Sequence, residues 1–93
     1  MTITSTSIFI PNPACPVREI GEGLVIMAPA GDMTHSLEDI GAFVWSHLDG
    51  QHDLEALADA VTAAYDVDRA TAESDLKAFL ADLLASGLVQ AVD

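Results

Sequence analysis

The sequence predicts an α+β domain of winged-helix-like arrangement, in which a three-stranded antiparallel sheet is followed by three helices. Short extended runs separated by turns that contain glycine fill residues 17–37. From residue 40 onward, apolar residues recur at the spacing of a helix face. The 93 residues leave room for one core, and their hydrophobic content of 51% is high enough that we expect the chain to fold.

The predicted strands occupy the first half of the chain. Residues 17–20 (VREI) alternate apolar and charged side chains, which is typical of a half-buried strand. A turn at residues 21–23 leads into the apolar run LVIM at residues 24–27, which indicates a buried strand. After a second turn at residues 29–32, residues 33–37 form the third predicted strand. Together they predict an antiparallel meander.

The N-terminal segment, residues 1–16, is predicted to be partly loose and separate from the domain at residues 17–93. Its first seven residues (MTITSTS) are small and polar, as loose termini often are. Residues 8–10 favour an extended conformation, but the prolines that follow predict that regular strand pairing is blocked. These prolines are Pro11, Pro13 and Pro16.

The first two helices follow the strands directly. The first is expected to be capped by Ser36 or Asp39 and to end at an Asp-Gly stop at residues 49–50. Asp53 is the predicted N-cap of the second helix. Apolar residues then repeat at helical spacing, which supports both assignments. In the first helix they are Ile40, Phe43, Val44 and Leu48, and in the second Leu54, Leu57, Ala58, Val61 and Tyr65.

The third helix is predicted from about residue 70 to residue 86, with Gly87 just beyond its end and a short extended tail at residues 88–92. A helical wheel assigns its core stripe to Ala72, Leu76, Phe79 and Leu83. The Asp75 flank consists of Asp75 and Asp82, and the Lys77 flank of Glu73, Lys77, Leu80 and Leu84. Because two leucines extend the apolar stripe, the pattern fits either a wide core helix or a shallow peptide groove.

Charge narrows the range of partners. The formal net charge is −12, from 15 Asp and Glu residues against 3 Lys and Arg residues. Phosphate backbones and anionic membrane surfaces are repelled by such a protein, so we expect neither nucleic acid nor membrane as a partner. The acidic third helix argues against DNA reading in particular, although the fold arrangement would allow it.

Catalytic and metal-binding signals are weak. His35, His47 and His52 do not have the i,i+4 spacing of a helical metal site, and no second cysteine joins Cys15. We therefore predict no catalytic residues, no metal and no cofactor. A single cysteine forms no internal disulfide, and no apolar run is long enough to span a bilayer, so a cytoplasmic location is expected.

A series of short motifs in a fixed order extends from about residue 17 to residue 89. In chain order they are Leu24-Val25-Ile26, Ser36-Leu37, Gly41-Ala42, Trp45, Leu48-Asp49-Gly50, Leu54, Tyr65-Asp66-Val67, Asp75-Leu76, Phe79-Leu80, Leu83 and Gly87-Leu88-Val89. Single motifs of this kind are common. Their order and spacing, however, resemble the PqqD-like family, whose members are also called RiPP recognition elements.

The resemblance implies a non-catalytic adaptor. Family members bind the leader segment of a ribosomally synthesised precursor peptide as an added β-strand and present it to a modifying enzyme, such as a radical-SAM enzyme or a leader peptidase. This implies a docking edge on the third predicted strand, formed by Met33, Thr34, His35, Ser36 and Leu37. The predicted groove wall is the Lys77 flank, namely Glu73, Lys77, Leu80 and Leu84, which rests on the helical wheel.

One expectation follows from this site. A Leu80→Asp variant is expected to lose peptide binding while its fold survives. The alternative to the adaptor is an acidic winged-helix module for protein interaction or dimerisation, since an open sheet edge also pairs with its own copy.

Overall fold

Two antiparallel sheets and three helices make up the fold. The computed structural model describes residues 3–4, 6–28 and 33–92. The elements are β1 (Ile8–Pro11), β2 (Val17–Ile20), β3 (Gly23–Met27), β4 (Thr34–Leu37), α1 (Ile40–Ser46), α2 (Leu54–Ala64), α3 (Arg69–Ala85) and β5 (Val89–Val92). The predicted α+β fold, with three paired strands followed by three helices, is confirmed.

The strands β2, β3 and β4 form one sheet with β3 in the centre. Leu24 lies opposite Leu37, and Ile26 lies opposite His35. Leu24 and Ile26 are buried, so the side chains of these residues and of those paired with them point to the core side of the sheet. The residues between them in each strand point to the outer face. The predicted turn at residues 29–32 lies outside the described residues.

A second sheet, which the sequence analysis did not predict, pairs β1 with β5. Asn12 N–H donates to the Leu88 carbonyl at 2.9 Å. Because ladder bonds alternate along an antiparallel pair, the nitrogen of Pro11 faces away from β5, and its missing N–H breaks no bond. The prediction that the prolines prevent regular pairing was therefore wrong. Phe9 is 1% exposed and anchors β1 to the core.

The first helix is shorter than predicted. Asp39 occupies its N-cap position with a φ of 51°, but the Asp39 side chain makes no capping hydrogen bond, and Ser36 belongs to β4. The helix ends at Ser46 because side chains, in place of a backbone N–H, bind the carbonyl oxygen of Phe43. Ser46 Oγ donates to it at 2.6 Å, and His47 Nδ1 lies 2.8 Å from it.

Capping side chains define the start of the other two helices. Asp53 Oδ1 accepts from Ala56 N–H at 2.8 Å, as predicted for α2. Asp68 caps α3, and its bonds from the Thr71 side chain and backbone lower the pKa of the Asp68 carboxyl. Beyond α3, Gly87 adopts a φ of 76°, and Leu88 N–H donates to the Leu83 carbonyl at 2.9 Å, which closes the helix as a Schellman motif.

Replacing the α2 cap is expected to lower stability modestly. Asp53→Ala removes the acceptor for Ala56 N–H and should reduce the free energy of unfolding by about 1 kcal/mol. Asp66→Ala, at an exposed aspartate outside the helices, is the matched control and should change it by less than about 0.5 kcal/mol. Urea unfolding followed by circular dichroism measures both. Equal losses in the two variants would contradict the capping role.

All three helices and both sheets contribute to one core. Its fully buried large side chains are Phe9, Ile26, Val44, Leu54, Leu57, Leu80 and Leu88. Leu80, predicted at the groove wall, is thus part of the core, whereas Phe79, predicted in the core stripe, is only partly buried. The buried stripe of α3 is Ala72, Leu76, Leu80 and Leu83, which is rotated from the predicted one toward the Lys77 flank.

Candidate functional site

The three-stranded sheet has two outer strands with different chemistry. In the part of the chain that the structure describes, β2 and β4 each pair only with β3. Arg18 and Glu19 lie at the centre of β2, and charges on an edge strand discourage further pairing. The β4 sequence THSL carries no Asp, Glu, Lys, Arg or proline. The edge at β4 therefore lacks the charges that discourage strand addition at β2.

Backbone geometry identifies which residues of β4 face this edge. Ala28 N–H donates to the Met33 carbonyl at 2.9 Å, so residues 28 and 33 form a hydrogen-bonded pair. Such pairs alternate along an antiparallel ladder, which directs the backbone groups of His35 and Leu37 toward β3. Thr34 and Ser36 therefore direct theirs outward. Each offers one N–H and one C=O to an added strand.

An apolar surface adjoins the end of β4. It centres on Gly41 of α1, where a Cβ atom would lie 3.6 Å from Phe79 Cε1 and 3.7 Å from Leu37 Cβ. Leu37 of β4 and Phe79 of α3 therefore both lie within contact distance of the Gly41 position. A largely apolar cavity of about 220 Å³ begins at this point, and we call it the Phe79 pocket. Its lining includes Ile40, Gly41, Val44, Val67, Asp75 and Phe79, and among its described lining residues none belongs to β4.

The predicted groove wall is not a single surface in this structure. Leu80 is 0% exposed and is not available to a ligand in the folded state. Glu73 Oε2 accepts from Arg69 Nε at 2.8 Å, and Arg69 also pairs with Asp59 of α2. Both carboxylates raise the pKa of the Arg69 guanidinium. Glu73 therefore binds Arg69 of the same helix, and Arg69 in turn links α3 to Asp59 of α2.

The other two wall residues, Lys77 and Leu84, lie together elsewhere. With Ile3, Ala81 and Ala85 they line a depression of about 400 Å³. Among its described lining residues none belongs to β4, so Lys77 and Leu84 do not share a cavity with the predicted docking edge. Phe79, by contrast, lies beside Gly41, as Leu37 does, and Asp75 lines the same cavity as Phe79.

Phe79 and Asp75 are the candidate residues that the sequence analysis missed. Both were recognised on α3, but Phe79 was assigned to the core and Asp75 to the opposite flank. The signal that identifies them is Gly41, a glycine inside a predicted helix, because such a glycine often marks close approach of another group. Its position beside Leu37 and Phe79 turns that general signal into a location for the site.

The structure locates two of the histidines that the sequence analysis considered as metal ligands. His35 is half-buried on β4, facing the core side with Ile26. His52 Nδ1 lies 2.8 Å from Asp49 Oδ1, and this contact lowers the pKa of the Asp49 carboxyl.

Among the residues that the structure describes, no three His, Cys, Asp or Glu side chains are grouped to hold a metal ion. In the same residues, no helix has the length and apolar character that crossing a membrane requires.

The chain is similar to one protein family and to two solved structures. Residues 23–89 match the family "Coenzyme PQQ synthesis protein D (PqqD)". The solved structure "TbiB1 in Complex with the TbiA(beta) Leader Peptide" is 30% identical, with a TM-score of 0.79, and the match covers 87% of this chain and 94% of that chain. "Lasso peptide synthetase B1 complexed with the leader peptide" is 26% identical, with a TM-score of 0.79, and the match covers 88% and 96%. The comparison with curated proteins gave no match.

Proposed function

Since this chain belongs to the PqqD family, we propose that it is a non-catalytic adaptor that binds the leader segment of a ribosomally synthesised precursor peptide. The peptide adds as a strand to β4, and the adaptor presents it to a separate modifying enzyme. Both similar structures are described as complexes with leader peptides, which supports this assignment. The family resemblance supports a radical-SAM enzyme or a leader peptidase as the receiving enzyme.

The observation that carries the proposal is the uncharged edge of β4 beside the Phe79 pocket. Thr34 and Ser36 supply main-chain hydrogen bonds to the added strand, and these bonds are independent of peptide sequence. Side chains of the peptide alternate between the two faces of the extended sheet. Those on the core side lie next to Leu37, and their apolar contacts are with Phe79, which also lies beside the Gly41 position.

The proposed peptide site therefore keeps the predicted docking edge and changes its facing wall. The edge residues are Met33, Thr34, His35, Ser36 and Leu37. Phe79 supplies apolar contact across from them, and the Asp75 carboxylate offers an acceptor at the cavity. Glu73, Lys77 and Leu84 remain predictions on a different surface of α3.

The charge of the chain supports the remaining parts of the proposal. At a formal charge of −12, the chain repels nucleic acid and anionic lipid, so its partners are proteins and peptides. The lone cysteine, Cys15, is buried, and burial raises the pKa of its thiol. A thiol that needs no disulfide partner fits a reducing compartment, and we propose the cytoplasm.

A titration tests the proposed function directly. The ¹⁵N-labelled protein is titrated with the leader half of a precursor peptide encoded near this chain's gene. We expect amide shifts concentrated at β4 and on the Phe79 side of α3. An unlabelled second copy in place of the peptide is the control for self-pairing. Shifts that depend on protein concentration alone would favour a dimerisation module.

Two alanine variants distinguish the two surfaces of α3. Phe79→Ala removes an apolar contact beside β4 and should weaken peptide binding by about tenfold. Leu84→Ala, a partly buried leucine on the same helix, should leave the dissociation constant within about twofold. Isothermal titration calorimetry measures both. A weaker Leu84→Ala complex with an unchanged Phe79→Ala complex would restore the Lys77 flank as the groove wall.

A further inference from the structure

The outer face of the three-stranded sheet carries exposed apolar side chains in the part of the chain that the structure describes. Strand parity assigns to it Arg18, Ile20, Val25, Met27, Thr34 and Ser36. Two of these six side chains, Ile20 and Met27, are among the five large apolar side chains that are exposed in the described residues. Together with Val25 they line one depression, and grouped exposed apolar side chains mark interaction sites. We call the six side chains, from Arg18 to Ser36, the outer sheet face.

The charge on this face differs from that of the whole chain. None of its six side chains is a carboxylate, although the chain has 15 Asp and Glu residues. It carries Arg18, one of only three Lys and Arg residues. Within the described part of the chain, Arg18 makes no ion pair. A shallow depression of about 400 Å³ surrounds it, lined also by Ile20, Val25, Met27 and Thr34.

We propose that the modifying enzyme docks on the outer sheet face, with an apolar patch that carries a carboxylate opposite Arg18. This inference rests on the proposed function, because a peptide strand added to β4 would extend the same sheet. Every second side chain of that strand would then point to the outer face, next to Thr34 and Ser36. An enzyme seated there contacts the adaptor and the bound peptide at once, which explains how the peptide is presented.

Physical arguments disfavour other occupants. Two copies of a chain with a net charge of −12 repel each other, and an anionic membrane surface is repelled by the same field. Self-pairing through β2 is disfavoured as well. When two copies of β2 pair antiparallel, equivalent side chains lie on the same face of the joined sheet. A pairing centred on the middle of β2 therefore places Arg18 opposite Arg18 or Glu19 opposite Glu19, and like charges in opposite positions are destabilising. A different protein with a complementary carboxylate meets neither obstacle.

The test separates enzyme docking from peptide binding. Ile20 is 59% exposed, so Ile20→Glu should preserve the fold while disrupting the outer sheet face. We expect it to weaken association with the modifying enzyme encoded beside this chain by about tenfold or more, and to leave the leader dissociation constant within about twofold. Arg18→Glu should weaken enzyme association in the same direction. Val92→Glu, at an apolar residue 36% exposed on β5, is the matched control and should change neither.

Each contrary outcome has a distinct meaning. Enzyme association that is absent in the wild-type protein, or unchanged in Ile20→Glu, would overturn the docking proposal. Sedimentation that finds a wild-type dimer and an Ile20→Glu monomer would assign the face to a second copy instead. A wild-type protein that fails to bind the leader would overturn the proposed function itself, whatever the enzyme measurement gives.

Discussion

A Leu80→Asp variant is expected to lose its cooperative fold, contrary to the expectation from the helical wheel. Leu80 is 0% exposed, in the centre of the buried stripe of α3. Truncating a buried leucine alone costs about 2–5 kcal/mol, and placing an unpaired carboxylate in the resulting space adds further desolvation cost. Native domains are stable by only about 5–15 kcal/mol. The substitution therefore removes much or all of the free energy of unfolding.

Thermal unfolding monitored by circular dichroism measures this effect. Leu84→Asp is the matched control, since Leu84 lies one turn further along α3 and is only partly buried. We expect Leu84→Asp to retain a sigmoidal transition at a lowered midpoint, while Leu80→Asp shows none. A folded Leu80→Asp protein would mean that α3 is rotated relative to this structure. Loss of peptide binding in Leu80→Asp then carries no information about the site, because the fold is lost with it.

Local patterns in the sequence predicted most of the fold correctly. The alternation at residues 17–20 and the turn before residues 24–27 predicted two strands, and Asp53 and Gly87 predicted helix ends. The expectation that residues 17–20 are half-buried was wrong, since all four are exposed. The sheet between β1 and β5 was missed because its pairing joins the two ends of the chain. Sequence patterns report local preference, whereas pairing between distant strands depends on tertiary contact. The predicted division at residue 17 remains a prediction.

The docking edge and the facing wall of the site were predicted on different grounds. The docking edge at β4 was implied by the family resemblance and remains a prediction, while the strand order places β4 at an edge of its sheet. The facing wall depends on how α3 is rotated, and one position on a helix changes the direction of a side chain by about 100°. Phe79 and Leu80 are neighbours, so a small error in the stripe exchanged the partly buried residue for the fully buried one. The position of Phe79 beside Gly41 is a tertiary feature, which a helical wheel of α3 alone does not contain.

Ser36→Pro is expected to abolish peptide binding with little effect on the fold. The backbone N–H of Ser36 faces the free edge of β4, whereas the hydrogen bonds of β4 to β3 are made by His35 and Leu37. Proline is tolerated on an edge strand when its nitrogen faces away from the neighbouring strand, as Pro11 demonstrates in β1. The proline ring removes one donor to the peptide and obstructs the approach of an added strand. We expect the dissociation constant to rise by at least about tenfold.

Ser36→Ala is the control that separates backbone from side chain. It removes the hydroxyl but keeps the N–H, so peptide affinity should stay within about twofold of wild type. Calorimetry with the leader peptide gives both affinities, and amide spectra establish that β2, β3 and β4 remain paired in each variant. A Ser36→Pro protein that binds as tightly as wild type would rule out strand addition at β4. Equal losses in both variants would instead assign the interaction to the serine hydroxyl, because only Ser36→Pro alters the main-chain donor.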